Sequence, residues 1–231
     1  MNAIRGHVSS LLIGLATAIV IVTVAVLPFL TPHWIAFEQG RANATAWTGF
    51  STDQLRVATD AILFDLVIGP PTFDVEVGGE PVLVERERGH MRDVRSVFIG
   101  LWVLAATSIV LLVAAAIRGD RRASWRAVRR GALVLTGVIV LVGVVALVAF
   151  ETLFELFHGI FFPAGSYTFD PSTERLVQLF PFQFWQETAV VVGIVTIVLA
   201  QVVAVVAGRQ APASDRSIVK AELATTPEPS R

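Results

Sequence analysis

Four stretches of the chain, Leu11–Leu30, Val97–Ile117, Ala132–Phe150 and Ala189–Ala207, run for 19 to 21 residues without one Asp, Glu, Lys, Arg or His. Crossing the hydrocarbon of a bilayer takes about 20 apolar residues in a helix. Inside lipid, every backbone N–H and C=O must be satisfied within the segment itself, which helices achieve. The stretches therefore predict an all-α polytopic membrane protein with four transmembrane helices. The first is longer than the roughly 7–15-residue apolar region of a secretory signal, so it reads as a retained helix.

Composition agrees. Only 16% of the 231 residues are charged, against about 25% in soluble domains, and mean hydropathy is +0.68. The net charge of −1 gives no pull toward nucleic acid. The lack of cysteine excludes disulfides, thiolate catalysis and cysteine metal sites.

Charge distribution sets the expected orientation. The connection "RGDRRASWRAVRRG" between spans two and three holds six arginines and one aspartate, which places it in the cytoplasm. Four spans then put both termini inside. Residues 31–96 and 151–188 fall outside, with fifteen acids, seven arginines and three of the four histidines. The membrane domain is expected over 1–208. The Ala-, Pro- and Ser-rich stretch 209–231 reads as a disordered cytoplasmic tail.

The outer segments carry their own signals. In "STDQLRVATDAILFDLVIG", Ser51 and Gln54 make an S-x-x-Q capping box, and Leu55, Ile62, Leu63 and Leu66 lie on one helical stripe. Asp53, Arg56, Asp60 and Asp65 take the other side. The stretch "PTFDVEVGGEPVLVE" alternates Phe73, Val75, Val77, turns at Gly78-Gly79 and resumes at Val82 and Val84. That predicts a β-hairpin with Pro81 on an edge or bulge, giving a small helix-plus-hairpin region outside the membrane.

Two histidines stand close to membrane helices. In "ERERGHMRDVRSVF", Glu87, His90 and Asp93 share a face through i, i+3 spacing. In "FELFHGIFFPAG", Glu155 precedes His158 by three residues within a bed of phenylalanines. Spans two and three share a short connection and should be antiparallel neighbours, which would let their outer ends meet. One such histidine fits an interfacial residue bonded to a nearby carboxylate. Two E-x-x-H patterns on adjacent helix ends point to a site. His33, beside Trp34, reads as an interface anchor.

At these residues the sequence resembles a family of four-helix bacterial membrane proteins that includes the lipoprotein intramolecular transacylases. The family pattern is E-x-x-H-M-x-D-V before the second span. After the third comes F-H-x-x-F-F, followed by an aromatic, an Asp/Asn-Pro, a Thr-acid pair and a Phe-Pro. Here these are "ERGHMRDV" and "FHGIFFPAGSYTFDPSTERLVQLFPFQFW". Gly159, "PAG" and Tyr167 stand where the transacylases have a second histidine, an Asn-Asp pair and a tryptophan.

The resemblance implies an acyltransferase of the bacterial plasma membrane. It would move an acyl chain from the glyceryl group of a lipoprotein to the amine of its N-terminal cysteine. The substrate, a lipid-modified protein or lipid, supplies its own nucleophile, so no cofactor or metal is implied. His90 and His158 match the family's two histidines as catalytic residues, with Glu87, Asp93 and Glu155 in support. Phe157, Phe161, Phe162, Tyr167 and Trp185 would hold acyl chains. Two other classes remain open. Glu38 and Glu187 could join the E-x-x-H motifs in a di-metal carboxylate–histidine site, or the protein could be a non-catalytic membrane scaffold.

Overall fold

The computed structural model describes residues 2–211. In chain order the helices are α1 (Asn2–Val26), α2 (Pro32–Arg41), α3 (Ala44–Thr48), α4 (Thr52–Val67), α5 (Glu85–Arg118), α6 (Arg121–Phe161), α7 (Arg175–Leu179) and α8 (Phe182–Gln210). A 3₁₀ turn, Leu27–Phe29, follows α1, and strands β1 (Glu76–Val77) and β2 (Glu80–Pro81) precede α5. Among the described residues, four helices are long and apolar enough to cross a membrane. Residues 212–231, most of the expected tail, lie outside the described residues, and α8 continues through Arg209 and Gln210.

α1 is the centre of the bundle, packing on α5, α6 and α8, while α6 runs along α8. The expectation that spans two and three lie side by side needs correction. A connection of two residues, Gly119 and Asp120, joins α5 to α6, yet α5 makes its long contact with α1. The cause is the small-residue surface of α1 and α6. Lipid tails are as apolar as leucine, so helices associate where backbones approach closely. A Cβ on Gly131 would fall 2.4 Å from the Gly14 carbonyl oxygen. Ala132, Ala200 and Ala204 are buried in the same seam with Ile21 and Leu135, so small residues of α8 also pack within the chain.

At 1.5 Å per residue, α5 and α6 are about 50 and 60 Å long, well beyond the roughly 30 Å of a hydrocarbon core. Both project past their apolar stretches into a head built from residues 31–96 and 162–184. Ala149 (φ −141°, ψ 37°) interrupts α6 where the apolar stretch ends and redirects the segment that carries His158.

The head has its own core, with Ile35, Leu55, Ile62, Leu63, Phe73, Val75, Val82, Leu83, Leu179 and Phe184 at its centre. The Ser51–Gln54 capping box starts α4, and Leu55, Ile62 and Leu63 are buried. Asp65, expected on the polar side, is instead buried and accepts hydrogen bonds from the Phe73 amide (2.8 Å) and the Thr72 hydroxyl (3.1 Å). The hairpin turns at Gly78-Gly79 through φ of 65° and 84°; it is short, pairing Glu76 with Pro81 and Val77 with Glu80, with the Val82 amide donating to the Val75 carbonyl at 2.8 Å. Phe73 adopts φ 51° to meet Asp65 and leaves strand geometry. The alternation slips at Val82-Leu83, both buried, so Val84 turns outward and becomes the residue that caps α5.

Candidate active site

The first turn of α5 organises the site through three consecutive side chains. Glu85 pairs with Arg92 at 2.6 Å and Arg88 at 3.1 Å on the surface. Arg86 reaches across to Glu174 and the Thr168 carbonyl (2.6 Å), and its guanidinium covers the Phe169 ring at 4.6 Å. Glu87 is wholly buried. Its carboxylate accepts from the Val84 amide (2.8 Å) and the Leu176 amide (2.6 Å), tying α5 to the start of α7. The segment 168–176 is thereby drawn over the next turn of α5, where His90 sits.

His90 is buried, seven residues before the apolar stretch that begins at Val97. Phe162 and Phe169 stand edge-on to it, with centroids at 4.7 and 5.4 Å. Nδ1 is enclosed without a hydrogen-bond partner, so Nε2 is the ring nitrogen open to a ligand. Burial, helped by the neighbouring His158 and opposed by Asp93, pushes the His90 pKa down to about 4. The ring is neutral at pH 7.

His158 faces it from the C-terminal end of α6. The two rings lie 6.1 Å apart at 22°, and no hydrogen bond joins them. Phe154, Phe157, Phe162 and Tyr167 surround His158 at 4.1, 5.4, 5.4 and 5.3 Å. Its Nδ1 lies 2.7 Å from the Phe154 carbonyl oxygen one turn back. A carbonyl only accepts, so the proton of the neutral ring sits on Nδ1 and Nε2 presents a bare lone pair. The site thus holds two imidazoles with different constraints, inside an aromatic wall.

The supporting carboxylates are placed differently from the spacing-based expectation. Glu87 is committed to two backbone amides. Glu155 is exposed and makes no hydrogen bond or ion pair among the described residues, its expected role being taken by the Phe154 carbonyl. Asp93 acts on His90 only through its charge. Among the aromatics, Phe157, Phe162 and Tyr167 line the pair. Phe161 packs on Phe157 at 4.8 Å and is otherwise exposed. Trp185 lies one layer away, against Phe154 at 6.3 Å, and donates to the Phe180 carbonyl at 3.1 Å. Phe154 and Phe169 are the site residues that sequence reasoning missed. For Phe154 the i−4 spacing to His158 was the available signal.

The ligands needed for a di-metal site do not converge. Glu38 is buried against Glu187, which forms a two-point ion pair with Arg41. Burial and the second carboxylate raise the Glu38 pKa, and Arg41 holds Glu187 down at about 2. Among the described residues, no three His, Asp or Glu side chains gather as a metal would require.

A family model for the lipoprotein intramolecular transacylase Lit matches residues 9–185, which include both histidines and both motifs. The chain belongs to the Lit family. Its fold is that of the membrane-integral Lit from Bacillus cereus: an in meso structure superposes with TM-score 0.71, 14% identity, and coverage of 96% of this chain and 99% of that one. Two variants of that protein, with a histidine replaced by arginine or by alanine, give TM-scores of 0.70 and 0.69 at 13% and 14% identity. They cover 97% of this chain and 96% and 98% of theirs. Comparison with curated proteins returns no match.

One pH effect follows from the site's geometry. An unfolded chain protonates His90 near its ordinary 6.5, whereas the folded protein resists until about 4. Between those values the unfolded state binds more protons, so this residue lowers stability progressively as pH falls from 6.5 toward 4. Thermal unfolding across that range should show a smaller loss in His90→Gln than in the parent. Equal slopes would contradict the burial of a neutral ring.

Proposed function

We propose that this Lit-family enzyme moves an acyl chain from the glyceryl oxygen of a lipoprotein to the α-amine of its N-terminal cysteine, with His158 as base and His90 as hydrogen-bond donor. The observation that carries this reading is the Nδ1–Phe154 carbonyl contact, which leaves Nε2 of His158 free to accept a proton beside a neutral His90.

The chemistry balances without a protein nucleophile. An α-ammonium has a pKa of about 7.7–8.0, so imidazole takes its proton at modest cost. The amine nitrogen attacks the ester carbonyl carbon, and the tetrahedral oxyanion is met by the N–H of His90. The proton taken from the ammonium passes from Nε2 of His158 to the glyceryl oxygen as its bond to the acyl carbon breaks. Nε2 then receives the second proton lost by the attacking nitrogen and releases it to solvent. An amide and a free hydroxyl result, with no net uptake of water. Phe154, Phe157, Phe162 and Tyr167 exclude water, which would otherwise hydrolyse the ester.

The reading places the histidines outside the cytoplasm, where lipoproteins mature. A cysteine introduced at Gly79 should react with a membrane-impermeant thiol reagent in intact cells, and one at Ser124 should not. The opposite pattern would place the histidines on the wrong side. Mass spectrometry of lipoprotein N-termini, from cells with and without the protein, tests the function itself. The lyso form with an N-linked acyl chain should appear only when the protein is present.

A further inference from the structure

We propose that the end of the bundle opposite the histidines is a binding site for anionic phospholipid headgroups. The argument begins with how the chain treats its arginines. In the head, Arg41, Arg86, Arg88 and Arg92 are ion-paired to Glu187, Glu174, Asp74 and Glu85. Arg95 and Arg175 donate to backbone carbonyls. At the other end, Arg118, Arg121, Arg122, Arg126, Arg129, Arg130 and Arg209 are all exposed, and none forms a salt bridge among the described residues. The nearby acid, Asp120, feels the charges of Arg126 and Arg122, but its side chain caps α6 through the Arg122 and Ala123 amides at 2.8 and 3.1 Å.

Two contacts fix the depth of this patch. Gly131 touches Gly14, which lies within the first apolar stretch. Arg129 lies across Gly208, with Nε 3.3 Å from where a Cβ would stand, immediately after the fourth apolar stretch. Arg129 and Arg130 are therefore held at the hydrocarbon boundary, where unpaired guanidinium groups meet phosphate rather than open water. Arg122, Arg126 and Arg129, spaced by four and three residues, continue one stripe along α6. Half-buried Trp125 stands beside them, as an interfacial ring does. Guanidinium groups bind phosphate oxygens in pairs and stay charged at any working pH. Headgroups with a net negative charge, such as phosphatidylglycerol, complement this stripe; zwitterionic phosphatidylcholine does not.

The test is native mass spectrometry of the full chain released from nanodiscs of equal phosphatidylglycerol and phosphatidylcholine. The parent should retain phosphatidylglycerol preferentially. Each basic residue near an anionic surface contributes about 1 kcal/mol, so Arg122→Gln/Arg126→Gln/Arg129→Gln should weaken retention roughly 100-fold. Arg122→Gln/Arg126→Gln alone, which leaves the Arg129 contact with Gly208 intact, should show an intermediate loss. Arg56→Gln, an exposed arginine of the head, should change nothing. Equal retention of the two lipids, or unchanged retention in both variants, would overturn the proposal. So would displacement of the lipid by inorganic phosphate at matched concentration, which would mark a free-phosphate site.

Discussion

His158→Ala is expected to abolish measurable acyl transfer while leaving folded protein in the membrane. Losing one positioned acid–base group costs about 10²–10⁴-fold in rate. The residue is half-buried on a helix surface, so the substitution removes little packing. Glutamine separates the two roles. A Gln amide donates a hydrogen bond but takes up no proton near neutral pH. His158→Gln should therefore be as inactive as His158→Ala. His90→Gln should keep part of the activity, because an amide N–H can still meet the oxyanion. Full activity in both Gln variants would remove acid–base chemistry from the account, and the reverse ranking would exchange the two roles.

Glu87→Gln is expected to destabilise the head by about 1–3 kcal/mol, the cost of leaving one buried backbone donor unmet. The carboxylate of Glu87 receives two amide N–H groups, from Val84 and Leu176. A Gln side chain offers one oxygen, and its NH₂ would face the other amide. Glu87→Ala abandons both and should cost more. Thermal unfolding reads this directly, and activity per folded molecule should stay near the parent value below the transition. A drop in activity at unchanged stability would make Glu87 the partner of His90 instead of the clasp between α5 and α7.

The membrane architecture was legible because bilayer thickness imposes a length, and charge-free runs of that length have few other uses. The α4 cap and the Gly78-Gly79 turn were legible for a local reason: each is decided by residues within three or four positions. The two histidine motifs were legible as a pair. The reason expected for their meeting, side-by-side packing of the two helices, was not the one the fold uses: α5 packs on α1, and the bend at Ala149 redirects the part of α6 that carries His158. What spacing could not give was the partner of each carboxylate. Glu87 shares a helical face with His90, yet it is taken by an amide 89 residues away in sequence. Asp65 falls on the polar face of α4 by helical spacing but is buried in space, where Phe73 folds back to meet it. The placing of α1 at the centre of the bundle was hidden similarly, since the glycines and alanines of its seam with α6 and α8 look like any other small residues in an apolar run.

The central claim is an acyl shift within one lipoprotein, driven by the histidine pair. The most direct measurement uses the purified protein in lipid with two synthetic diacylglyceryl lipopeptides. One carries isotopic label in both the peptide and the ester-linked chain, and the other carries none. Mass spectrometry of the products should show the N-acyl lyso form with label in both parts or in neither, and none with His158→Ala. Crossed labels, release of free fatty acid, or full conversion by His158→Ala would contradict it.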